Sequence, residues 1–94
     1  MGTFFLFGRY SAASIKEISA KRTDAAVATV KKLGGELKSG YAILGKYDLV
    51  LIVELPGTTE AMKCSLALSR QLGVSFTTVP AVPVEQFDRL SAEA

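Results

Sequence analysis

The run from Asp48 to Leu55 constrains this chain more than any other stretch, because it is apolar on both sides of an extended strand. Side chains alternate across a strand. Here the odd-numbered positions from Leu49 to Val53 are apolar, and so are Val50 and Ile52 between them. This pattern is typical of a strand at the centre of a sheet that is covered on both faces.

The first predicted strand, Thr3 to Tyr10, has the same character. Phe4 and Leu6 fall on one side of it, and Phe5 and Phe7 fall on the other. A sheet with one face in water should alternate between apolar and polar residues more cleanly. Two strands of the chain are therefore predicted to need cover on both faces.

A helix is predicted between the first and second strands, from Ser14 to Leu33, because apolar residues recur there at helical spacing. Ser11 or Ser14 is placed to cap its start. The polar stretch from Ser19 to Asp24 indicates a break or a shift of register. Gly34-Gly35 is predicted to end the helix, since glycine accepts the left-handed backbone that follows a helix.

A second strand is predicted over Glu36 to Leu44. Its alternation places Leu37, Tyr41 and Ile43 on one side. Gly45 to Tyr47 is predicted to form the tight turn into the third strand, which starts at Asp48.

The last third of the chain repeats the order helix then strand. A helix is predicted from a cap at Thr58 or Thr59 to Leu72, and a fourth strand over Val74 to Val79. Pro80 and Pro83 are predicted to end regular pairing. After them, Val84 to Leu90 suits one or two helical turns, with Phe87 and Leu90 as docking groups and frayed residues beyond.

The predicted fold is α+β, of the ferredoxin-like βαββαβ type. Right-handed crossovers joined by a hairpin give a four-stranded antiparallel sheet with two helices on one face. No linker or low-complexity segment divides the chain, so a single domain is predicted over residues 1–94, with a core at about 3–82 and a tail at 83–94.

Two helices cover only one face of such a sheet, which leaves an apolar face in water. Soluble monomers rarely expose a large apolar patch. We therefore expect the chain to pair with a second copy of itself through its sheet, as a homodimer or higher oligomer. A cavity that holds a ligand, or a tail folded over the sheet, remains an alternative.

Composition argues against several classes of function. The net charge is +2, and the basic residues form pairs such as Lys31-Lys32 rather than a patch, so no nucleic-acid partner is expected. The chain has no histidine, and Cys64 is its only cysteine, so neither a common metal site nor a Cys–His nucleophile is expected. No run spans a membrane and no signal peptide is evident, so a soluble, cytoplasmic protein without a membrane partner or cofactor is expected.

The segment Gly45-Lys46-Tyr47-Asp48, preceded by Gly34-Gly35 and followed by Leu49-Val50, resembles the signature of the GYD domain family. Later segments, Leu66-Ala67-Leu68 and Thr77-Thr78, resemble the second helix and last strand of that family. The resemblance covers roughly residues 3 to 87. It implies a ferredoxin-like domain of the dimeric α/β-barrel type, and it implies no established activity.

Six residues are candidates for a ligand cleft: Tyr41, Tyr47, Asp48, Arg9, Phe5 and Phe7. A tyrosine hydroxyl and a carboxylate at the mouth of a strand suit the orientation of a small polar ligand or the transfer of a proton. Aromatic rings suit an apolar cleft, and an arginine suits an anion. Each has a structural alternative, in which Asp48 accepts N–H groups of the turn and the rings pack.

The function predicted from these features is a small module that self-associates through its sheet and binds a small ligand in a cleft between sheet and helices. The rival hypothesis is a cofactor-independent enzyme, similar to small monooxygenases or isomerases, acting on a small aromatic or polar metabolite. The enzyme predicts a carboxylate in an ordered cleft, whereas the module predicts that the polar groups face solvent or are used in turn hydrogen bonds. A third option is binding of another protein through an exposed sheet edge.

Overall fold

The ferredoxin-like fold is confirmed by the structure, a computed structural model that describes all 94 residues. The elements in chain order are β1 (Gly2–Tyr10), α1 (Ala12–Ile15), α2 (Ala20–Lys32), β2 (Glu36–Ala42), β3 (Leu49–Leu55), α3 (Thr58–Leu72), β4 (Val74–Ala81) and α4 (Val84–Glu93). All strand pairs are antiparallel, in the order β2-β3-β1-β4. No helix has both the length and the apolar character needed to cross a membrane.

The two strands that are apolar on both sides, β1 and β3, lie at the centre of the sheet. Phe5 of β1 sits between Ile52 of β3 and Val79 of β4, and Phe7 sits between Val50 and Thr77. The strands that alternate with polar residues, β2 and β4, form the edges. The apolar pattern therefore placed the central strands correctly.

The core lies between one face of the sheet and the helices α2 and α3. The most deeply buried side chains come from both layers and are Leu6, Val30, Val53, Leu55, Cys64 and Leu68. Each large aliphatic side chain buried in this way stabilises the fold by about 1.5–3 kcal/mol. This single layer of packing is what holds the helices to the sheet.

The predicted first helix is two helices. α1 is capped by Ser11, whose hydroxyl accepts the N–H of Ser14 at 3.0 Å, and α2 is capped by Ser19, whose hydroxyl accepts the N–H of Arg22 at 3.2 Å. The polar segment was predicted correctly, but the second cap at Ser19 was not predicted. For α3 the predicted caps at Thr58 and Thr59 are wrong, because Gly57 occupies the N-cap position without a side-chain bond.

A β-bulge at Lys38 changes which side chains share a face of β2. Leu37 pairs with Val53, but Tyr41 pairs with Val50, so Leu37 and Tyr41 lie on opposite faces of the sheet. The prediction that they share a face is wrong, because the extra residue shifts the alternation by one position. The strand also ends at Ala42 rather than Leu44.

The bulged Lys38 forms an ion pair with Glu36, with 2.9 Å between Nζ and Oε2. This hydrogen bond, together with the charges of Glu36 and Glu54, raises the pKa of Lys38 above its ordinary value. Both partners are solvent-exposed, so the pair marks the bulge rather than stabilising the fold appreciably.

Pairing in β4 continues through Pro80 to Ala81, beyond the predicted end at Val79. β4 is an edge strand, the position in a sheet where proline is tolerated. After it, α4 runs for ten residues, and the prediction that Phe87 and Leu90 dock on the body is wrong: both remain about half exposed or more, at 62% and 49%.

Cys64 gives a pH-dependent prediction. Burial of this core thiol raises its pKa from 9.0 to about 11. The unfolded chain therefore loses the thiol proton at lower pH than the folded chain, and the free energy of unfolding should fall as pH rises from about 9 to about 11. Urea denaturation across this range, compared with Cys64→Ala, measures the effect. An equally steep fall in the variant would contradict it.

Candidate functional site

Two surfaces of the molecule are candidates for binding. We call the helix-free side of the sheet the open face; its residues in the central strands are Thr3, Phe5, Phe7, Arg9, Val50, Ile52 and Glu54, flanked by Ser39 and Tyr41 of β2 and by Ser75, Thr77 and Val79 of β4. We call the hollow between α2 and the β2–β3 pair the cleft. They lie on opposite sides of the sheet.

The six candidate residues do not form one site. Phe5 and Phe7 lie side by side on the open face, with ring centroids 6.2 Å apart, and the ring of Tyr47 packs on Phe7 at 5.3 Å. Arg9 is exposed on the same face and makes no ion pair. Of the six, only Tyr41 also borders the cleft, because it lies on the edge strand β2, where it is 58% exposed.

Asp48 joins the end of β1 to the connection between β2 and β3 through its backbone and side chain. Its Oδ2 accepts the backbone N–H of Tyr10 at 3.0 Å, its own N–H donates to the carbonyl of Gly8 at 2.8 Å, and its carbonyl accepts the N–H of Ile43 at 2.9 Å. The bonded N–H therefore belongs to the end of β1 and not to the turn. The carboxylate is engaged in holding the β2–β3 hairpin against β1.

The rest of the Gly45-Lys46-Tyr47-Asp48 segment serves the same hairpin. Gly45 has φ +132°, a conformation that side chains rarely adopt, so a glycine is needed for the chain to turn there. Lys46 Nζ lies 5.7 Å from the ring centroid of Tyr47, within reach of a cation–π contact. The segment thus fixes an aromatic ring and a cation at one end of the open face.

The cleft has a volume of about 320 Å³, at the lower end of the range for small-molecule sites. Its wall is mostly apolar, formed by Tyr10, Ala26, Leu37, Leu49, Leu51 and Leu72. The polar residues at its rim are Ser19, Arg22 and Thr23, and no carboxylate lines it. A pocket of this chemistry suits a small, mainly apolar ligand.

Arg22 is the functional candidate that sequence reasoning missed. Its Nη1 donates to the carbonyl of Ser14 at 2.9 Å, and its Nη2 donates to the carbonyl of Leu72. Leu72 ends α3, where a positive charge is favourable beside unpaired carbonyls. The guanidinium is thereby held in place at the rim of the cleft, as its only charged group.

No sequence signal pointed to Arg22, because it lies in the polar Ser19 to Asp24 stretch, where the pattern merged α1 and α2 into one helix. Its partners come from α1 and α3, 8 and 50 residues away along the chain. Elsewhere in the chain, no three carboxylate or thiol groups lie close enough together to hold a metal ion.

Replacement of Asp48 tests its structural role. Asp48→Ala removes the acceptor and leaves the N–H of Tyr10 without a hydrogen-bond partner. It should therefore lower the free energy of unfolding by about 1–3 kcal/mol. Asp48→Asn keeps a carbonyl acceptor and should lower the free energy of unfolding by less. Urea denaturation measures both, with Asp24→Ala on the exposed side of α2 as a control expected within about 0.5 kcal/mol of the parent. A fully stable Asp48→Ala would show that the bond contributes nothing.

Comparisons with known proteins agree with this fold. The solved structure of the Mycobacterium tuberculosis leucine response regulatory protein (LrpA) is similar with a TM-score of 0.59 at 13% sequence identity, covering 87% of this chain and 51% of that one. A mutant of Rv3291c is similar with a TM-score of 0.59 at 13% identity, covering 88% and 51%. The chain spans about half the length of these solved chains, and the likeness is one of fold.

At the level of sequence, no curated protein shows significant similarity to the chain. The model of the GYD domain, in contrast, matches residues 4–90, almost the whole length. The match includes the hairpin segment whose Gly45, Tyr47 and Asp48 tie β1 to β3. The chain therefore belongs to the GYD domain family.

Proposed function

We propose that this chain is a self-associating domain, which forms a homodimer by stacking the open faces of two copies and binds a small, mainly apolar ligand in the cleft of each. The observation that carries the proposal is the apolar centre of the open face. Phe5, Phe7, Val50 and Ile52 form a two-by-two block in the central strands, and no helix packs on them. Phe5, Phe7 and Ile52 are partly exposed, and Val50 is buried among its neighbours.

The distribution of polar groups on the open face supports stacking. The charged residues of the two central strands, Arg9 and Glu54, lie at opposite ends of the face, and the block between them is uncharged. Two sheets packed face to face lie about 10 Å apart, with interdigitated side chains between them. An apolar centre with charges at its margins is the pattern of a protein interface.

The cleft supports the second part of the proposal. Its volume of about 320 Å³ suits a small molecule. The fixed guanidinium of Arg22 has no carboxylate beside it, so a ligand with an anionic group at one end would be matched in charge. No carboxylate lines the cleft, and the Asp48 carboxylate is engaged with the N–H of Tyr10, which favours binding over acid–base catalysis.

The self-association is tested by light scattering after size-exclusion chromatography. At micromolar concentration the parent should show twice the 10.0 kDa mass of one chain. Ile52→Asp places a charge in the centre of the open face and should give a monomer, since burying an unpaired carboxylate is costly. The matched control is Leu66→Asp on α3, which is 56% exposed on the other side of the molecule and should remain dimeric. A monomeric parent would refute the proposal.

The cleft is tested with naphthalene-2-sulfonate, an apolar ring system with one anionic group. Its titration should shift the amide NMR signals of Ala26, Gly40 and Leu49, which line the cleft. Thr23→Trp should fill the mouth and abolish these shifts, whereas Ala28→Trp, exposed on α2 away from the cleft, should keep them. Shifts confined to the open face, or unchanged by Thr23→Trp, would exclude the cleft as the site.

A further inference from the structure

The C-terminal helix α4 is a second apolar surface without a partner in the chain. Val84, Phe87 and Leu90 recur every three residues and form a stripe, which we call the arm stripe; they are 72%, 62% and 49% exposed. None of the ten residues of α4 is buried. A helix of this length is marginal in water, because its stability comes mainly from packing an amphipathic face. The arm stripe therefore needs a surface to pack on.

The charges of α4 are opposite to those of the rest of the chain. The helix has three acidic residues, Glu85, Asp88 and Glu93, and one basic residue, Arg89, for a net charge of −2. Since the whole chain carries +2, the residues outside α4 carry +4. None of these four side chains makes an ion pair. The helix is thus suited to a basic surface.

The chain attaches α4 at the acidic end of its own sheet. Ala81, the last residue of β4, pairs with Thr3, which in turn pairs with Glu54, and Glu54 pairs with Glu36. Two carboxylates of the open face therefore lie at the end where the helix begins. Their negative charges disfavour docking of the acidic side chains of α4 on that part of the sheet.

The basic end of the open face lies at the far end of the strands. Arg9 pairs with Ser75, six positions along β4 from Ala81, which corresponds to roughly 20 Å. Lys46 is at this end as well, beside the stacked rings of Phe7 and Tyr47. The Asp48 carboxylate also lies at this end, but it accepts the N–H of Tyr10. Aromatic rings flanked by two cations that make no ion pair match the arm stripe and its acidic neighbours.

We propose that α4 of one copy docks on the Arg9 end of the open face of a second copy. The arm stripe packs on Tyr47 at the margin of that face, beside the stacked centres of the two sheets, and the acidic side chains of α4 face the Arg9 and Lys46 of that copy. The two-fold axis lies between the two sheets and runs perpendicular to the strands. It brings the C-terminal end of each β4 to the Arg9 end of the other sheet. The helix, about 15 Å long, then reaches from the β4 edge to the central strands.

The inference rests on the proposed dimer, and paramagnetic broadening tests the two separately. One sample carries a nitroxide on Ser91→Cys in a Cys64→Ala background and no nitrogen-15. It is mixed, after subunit exchange, with nitrogen-15-labelled parent chain that carries no nitroxide. Any broadening in the labelled chain is therefore intermolecular. We expect it at the amides of Arg9, Tyr47 and Ser75.

The outcomes distinguish the two proposals. A dimer by light scattering without this broadening, or with broadening at Glu36 and Glu54 instead, would leave the sheet interface intact and overturn the docking of α4. A monomer would overturn both. Broadening that appears only when the nitroxide and nitrogen-15 are on the same chain would show that the helix folds back on its own sheet. It would also overturn the inference.

Dimer strength gives an independent measurement. Phe87→Asp should raise the dissociation constant of the dimer about tenfold or more without changing the fold of the monomer, since Phe87 is exposed there. Leu66→Asp, which also adds a charge at an exposed apolar position on a helix, is the matched control and should leave the constant unchanged. Asp88→Arg should weaken the dimer as well, and Arg9→Glu on the second copy should partly restore it. An unchanged constant in Phe87→Asp would overturn the inference.

Discussion

The structure depends on a mismatch between the sheet and the helices that cover it. Both central strands, β1 and β3, carry apolar side chains on both sides, but α2 and α3 pack on one side only. The covered side supplies the core that folds the chain. The uncovered side, centred on Phe5, Phe7, Val50 and Ile52, supplies a reason for two copies to associate. Folding and the proposed assembly thus draw on opposite faces of the same two strands.

The family signature acts on this sheet mainly as a structural tie. Gly45 allows the turn, Tyr47 packs on Phe7, and Asp48 bonds the end of β1 to the hairpin. These contacts fix the end of the open face where Arg9 and Lys46 lie. A signature that looked like a set of ligand-binding groups therefore serves to hold the hairpin against β1, and the proposed dock for α4 makes use of that end.

The cleft and the open face show why candidate residues could be chosen from the sequence but not assembled into one site. Aromatic and charged residues stood out by type, yet the sheet separates Phe5 and Phe7 from the cleft, and the bulge at Lys38 turns Tyr41 away from Leu37. Arg22 became visible only through its carbonyl partners on α1 and α3. Which side chains meet depends on strand register and on contacts between residues distant in sequence. The local spacing of residues predicts neither.

The sequence by itself determined the order of the elements, the central position of β1 and β3, the sheet topology and the excess of apolar surface, because these follow from the alternation of side chains along a strand and from the short connections between elements. Only the tertiary structure decided the division of the first helix, the face on which each residue of β2 lies, the partner of the Asp48 carboxylate and the exposed position of α4. These depend on packing between segments distant in the chain, where one extra residue in a strand or one long arginine side chain changes which groups come into contact.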